Sequence, residues 1–163
     1  MPEAAVGLFP DCGATYFLNA LPPGYAYYLG LSGKHVIGED LVRAKIATHY
    51  MTSDQVVEFR ERLEKEENLS KGKNIVKIAD DIANKPVGPY KNHDLILEIF
   101  ASVDNFSDLW STLNSIASSN PEAKLLLDQI SRNSPLAVRV AFELLKRGQG
   151  LTLPECYQME YRA

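Results

Sequence analysis

Met1-Pro2-Glu3-Ala4-Ala5-Val6-Gly7-Leu8-Phe9-Pro10-Asp11-Cys12 opens the chain. Two prolines and a glycine in an apolar setting rule out a continuous helix, so the stretch reads as a buried strand-like or loop segment. It also carries two carboxylates, Glu3 and Asp11. A carboxyl group among apolar neighbours can serve as base, nucleophile or acid near neutral pH. The same residues admit a structural reading, with Glu3 exposed at a frayed terminus and Asp11 capping the helix that follows.

Everything beyond residue 12 reads as helix and connection. Tyr16-Phe17 and Ala20-Leu21 predict a short helix over 13–21, closed by Pro22-Pro23-Gly24, and a second apolar stretch runs over 25–31 with Gly33 at its exit. Glu39 and Asp40 lead a short helix over 41–47, where acidic residues meet the positive end of the macrodipole. Ser53 is the expected N-cap of a helix through Glu64, with Val56, Val57, Phe59 and Leu63 on its buried face. Residues 64–73 read as solvated charge, and a further helix covers 74–83. Pro86-Val87-Gly88-Pro89 stops it and reads as a loop within one domain. Asn105, Asn120-Pro121 and Ser134-Pro135 then announce three more helices, and Thr152 with Glu155 has capping-box spacing for a last one through Tyr161. The chain is therefore expected to be mainly α, with breaks near Pro22-Pro23, Pro86–Pro89 and Asn120.

A length of 163 residues, with 45% hydrophobic and 23% charged side chains, suffices for one core. Seventeen basic against 21 acidic residues give a net charge of −4. No basic stripe emerges, which argues against a nucleic-acid surface. The two cysteines, Cys12 and Cys156, lie far apart, so neither a disulfide framework nor a zinc site is expected. No apolar run approaches the roughly 20 residues that span a bilayer, and no signal or transit peptide is visible, so no membrane partner is expected.

Met1-Pro2-Glu3 followed by Gly7-Leu8-Phe9-Pro10-Asp11, then Gly13 and Tyr16-Phe17-Leu18, resembles the active-site segment of the 3-hydroxyisobutyryl-CoA hydrolases of the crotonase (enoyl-CoA hydratase/isomerase) superfamily. The resemblance continues through Leu29-Gly30-Leu31-Ser32-Gly33, Ala44-Lys45-Ile46-Ala47-Thr48-His49-Tyr50-Met51, Ser134-Pro135 and Met159-Glu160-Tyr161-Arg162. Residues 52–132 match only as a series of helices. Lys45 departs from the pattern, standing where that family has a glycine.

The resemblance implies the C-terminal, helix-rich portion of a crotonase-type α/β (ββα spiral) fold with most of the sheet core absent. Residues 1–12 would be the active-site segment of the core, and 13–163 the helical C-terminal region of the same domain. It implies hydrolysis of the thioester of 3-hydroxyisobutyryl-CoA in valine catabolism, in the mitochondrial matrix, with an acyl-CoA substrate and a homo-oligomer as the implied partners. Glu3 would attack the thioester carbonyl or activate water, and Asp11 would bind and orient the acyl group. No cofactor or metal would be needed, CoA being part of the substrate. The glycine-rich segments that form the family's oxyanion hole are not in this sequence. Each lost donor typically costs about 2.7–4 kcal/mol, so the isolated chain is expected to be nearly inactive. The alternatives are a non-catalytic helical fragment that packs on a crotonase core or subunit, and another crotonase activity such as enoyl-CoA hydration.

Other chemistry-bearing residues read as structural. His49, at the end of a helix, is expected to be a hydrogen-bonded structural histidine, and His35 and His93 to be surface residues. Cys12 follows a carboxylate that opposes thiolate formation, and is expected to be a small buried residue. Tyr25, Tyr27 and Tyr28 could stack on an adenine, but packing is the expected role.

Overall fold

The computed structural model describes residues 1–68 and 72–163. Part of the charged stretch expected over 64–73 falls on 69–71, outside the described residues. The backbone falls into two compact units, Met1–His35 with Lys91–Ala163, and Val36–Tyr90. Among the described residues there is no strand, only an isolated bridge between Tyr50 and Asn84.

The first unit holds a 3-10 turn, Glu3–Val6, followed by helices α1 (Ala14–Asn19) and α2 (Tyr25–Ser32). All eight residues of α2 are buried. A helix that is apolar on every side must be surrounded. The 3-10 turn, α1, α6 (His93–Phe100), α8 (Pro121–Arg132) and α9 (Pro135–Arg147) do this. Gly24 makes the entry possible. It has φ +83°, and a Cβ there would lie 2.9 Å from the Ile96 carbonyl oxygen. The three tyrosines pack as expected: Tyr27 stacks on Phe142 at 4.9 Å, Tyr28 meets Phe100 edge-on, and the Tyr25 hydroxyl lies 3.1 Å from His93 Nδ1. His93 is thus half-buried and engaged rather than a surface residue, because it begins a helix packed against α2.

Helices α7 (Phe106–Ala117), α8 and α9 start where the sequence predicts. Asn105 accepts from the Asp108 N–H, Asn120 from the N–H groups of Glu122 and Ala123, and Ser134 from that of Ala137. α10 (Leu153–Tyr161) follows the predicted box, the Glu155 carboxylate accepting from both the N–H and the hydroxyl of Thr152. These hydrogen bonds hold the Glu155 carboxyl below its ordinary pKa.

In the second unit, α3 (Asp40–Arg43) is followed by α4 (Ser53–Glu64) and α5 (Gly72–Ile82), which pack on each other. The cap of α4 is Thr52, one residue earlier than expected, in a reciprocal box with Gln55. Gln55 also donates to the Ile82 carbonyl and to Asn84 Oδ1, tying α4 to the end of α5. The expected buried face of α4 is corrected: Val56 and Val57 are 52% and 58% exposed, and no residue of the helix is buried. Its hydrophobic positions exceed what one neighbouring helix can cover. His49 bonds Thr48 and Asp80, as expected of a structural histidine.

Candidate active site

The opening segment is neither strand-like nor wholly buried. Glu3–Val6 turns once as a 3-10 helix and ends at Gly7, and the Leu8 N–H donates to the Glu3 carbonyl at 2.9 Å. Pro10 then breaks any continuation. The turn is anchored from the other end of the unit, the Ser134 N–H donating to the Ala4 carbonyl at 3.1 Å. Glu3 is therefore no frayed terminus. Its side chain is half-buried, and Oε2 is shielded from water without a hydrogen-bond partner among the described residues. Buried polar atoms are nearly always satisfied, so this one calls for an explanation.

Asp11 lies at the far end of the same segment and is exposed. Its carbonyl accepts from the Ala14 N–H at 3.0 Å, but α1 has Gly13 at its N-cap position and takes no side-chain cap from that residue. Cys12, expected to be buried, is exposed, with its backbone in the left-handed region at φ 56°. Its thiol is pushed above its ordinary pKa by the hydrogen bond to the Asp11 carboxylate, then by that group's charge. The expected opposition between carboxylate and thiolate is thus present. Val6 and Leu8, between the two carboxylates in sequence, and Tyr16 and Phe17 just after them are exposed.

The carboxylate that caps α1 comes from α10. Glu160 is only 6% exposed. It accepts from the Gly13 N–H (2.7 Å), the Thr15 N–H (3.0 Å) and the Thr15 hydroxyl (2.6 Å). Gly13 permits this approach: it has φ +83°, and a Cβ there would lie 3.0 Å from Leu153 and 3.3 Å from Tyr157, both on α10. Reading the sequence for chemistry passes over Glu160. The only signal was its place in the closing Met159-Glu160-Tyr161-Arg162 match, because its partners lie about 145 residues away.

The fold and this segment define a class. The chain belongs to the enoyl-CoA hydratase/isomerase family, whose pattern matches residues 1–163. Among its relatives are the mitochondrial 3-hydroxyisobutyryl-CoA hydrolases of Xenopus tropicalis and Homo sapiens, each 32% identical over 99% of this chain. A small ribosomal subunit protein, mS47 of Arabidopsis thaliana, is 28% identical over the same share. The chain spans 43% of the length of the two hydrolases and 40% of that of the ribosomal protein. A carnitinyl-CoA dehydratase from Mycobacterium thermoresistibile superposes with a TM-score of 0.80 at 26% identity, over 99% of this chain and 46% of that one. An enoyl-CoA hydratase from Rhodobacter sphaeroides gives 0.73 at 27%, over 99% and 44%. The helices are thus the C-terminal, helix-rich portion of a crotonase-type fold.

Proposed function

We propose that this chain supplies the carboxylate pair of a mitochondrial acyl-CoA thioester hydrolase acting on 3-hydroxyisobutyryl-CoA. The observation that carries the reading is the Glu3 carboxylate oxygen, shielded from water and without a donor among the described residues. Lone pairs not tied up in hydrogen bonds are free to meet a carbonyl carbon, and covalent attack splits one difficult displacement into two easier ones. The names of the Xenopus and human relatives support the substrate and the compartment.

In this reading Glu3 attacks the thioester carbonyl carbon. The C–S bond breaks, CoA leaves as thiolate, and a mixed anhydride remains on Glu3. Water then cleaves the anhydride, regenerating the Glu3 carboxylate and freeing the hydroxy acid as its carboxylate. One of the two protons released goes to the CoA thiolate and the other to solvent. Asp11 orients the acyl group. The residues need no metal or further cofactor for these steps.

Glu3→Ala in the protein as the cell makes it should abolish thiol release from 3-hydroxyisobutyryl-CoA. Asp11→Asn should lower turnover while leaving the circular dichroism unchanged. A folded Glu3→Ala protein with near-parental turnover would sink the reading. It would favour instead a packing role, the alternative to which the ribosomal relative lends support.

A further inference from the structure

Among the described residues that are buried, four are polar and Glu160 alone is charged. Burying a carboxylate is costly unless donors replace its water, and three hydrogen bonds do so here. Neutral side chains within the same turn cap helices elsewhere in this chain, at Asn105, Asn120 and Ser134. Helix capping alone does not call for a buried charge brought from the other end of the unit.

The turn that Glu160 holds is strained. Cys12 and Gly13 are consecutive left-handed residues, at φ 56° and 83°, and Cys12 has a side chain that disfavours this conformation. Such backbone persists where its surroundings over-determine it, and it clusters at functional sites. The carboxylate fixes the N–H groups of Gly13 and Thr15, the Ala14 N–H between them bonds the Asp11 carbonyl, and Asp11 is one residue before the strained pair. We infer that Glu160 is a positioning residue. By clamping the 11–15 turn from α10, it sets the direction in which the Asp11 side chain leaves the backbone toward the acyl group. This rests on the reading of Asp11 as the acyl-orienting group.

The test is a double-mutant cycle in the protein as the cell makes it, read by thiol release from 3-hydroxyisobutyryl-CoA. Glu160→Gln keeps the shape but turns an NH2 toward a donor, so at least one clamp bond is lost. It should lower kcat on the order of tenfold to a hundredfold, the scale of a small misplacement, with KM little changed. Hydrogen exchange at the Gly13 and Thr15 amides should accelerate. Asp11→Asn combined with Glu160→Gln should lose no more than Asp11→Asn alone, since both act through one group. If Glu160→Gln does not fold, Thr15→Val removes only the hydroxyl donor. It should give a smaller kcat loss that likewise vanishes in the Asp11→Asn background.

A folded Glu160→Gln protein with parental kcat, or losses that multiply in the double variant, would overturn the inference while Asp11→Asn stays impaired. Parental turnover in Asp11→Asn itself would instead remove the acyl-orienting role, and this inference with it.

Discussion

Lys45 is a non-glycine residue held in the left-handed region, at φ 61°. It lies just past the end of α3, where the N–H groups of Ile46 and Ala47 fold back onto the Leu41 carbonyl. This is the position after a helix that glycine commonly fills, because any Cβ there crowds the neighbouring carbonyl. The glycine expected at this place from the family resemblance thus has a backbone reason. Lys45→Gly should raise the stability of the Val36–Tyr90 unit by about 1 kcal/mol, the lower end of the left-handed cost, seen as a higher midpoint in urea. A lower midpoint would mean that the lysine side chain contributes more than its backbone costs.

At the scale of the element, the helix starts in the second half of the chain are decided within four residues, and they were legible for that reason. Asn120 accepts two N–H groups and Pro121 follows with its φ already set, so both signals belong to adjacent letters. Asn120→Ala should destabilise the Met1–His35 with Lys91–Ala163 unit by about 1 kcal/mol, measured by thermal or urea unfolding. Helix α6 was missed although Asn92 and Asp94 have the composition of a helix start; in the structure the Asn92 side chain makes no cap bond and its amide donates to the Tyr28 hydroxyl. Burial along α4 failed for a different reason. A periodic apolar pattern says which residues share a face, not whether a neighbour covers it. The carboxylates Glu3 and Asp11 were legible because one short segment holds them. The clamp on that segment was not, because a hydrogen bond between residues 13 and 160 leaves no local pattern.

Over the whole molecule, burial is unevenly shared. α2 buries all eight of its residues and α9 six, while α4 buries none. Local opening is governed by how much apolar contact must be broken, so the amides of α4 should exchange with deuterium well before those of α2 and α9. Exchange of α4 as slow as that of α9 would contradict the burial pattern.

The carboxylate of Glu160 also imposes an order in time. The Gly13–Thr15 turn donates three hydrogen bonds to a residue 147 and 145 positions later. Contacts so distant in sequence form late, after the intervening chain has paid its loop entropy. During synthesis, at about 5–20 residues per second, the turn bearing Asp11 is made before α10 and lacks its clamp until that helix follows. A nascent chain therefore carries both carboxylates, with that turn still unclamped, until α10 is made.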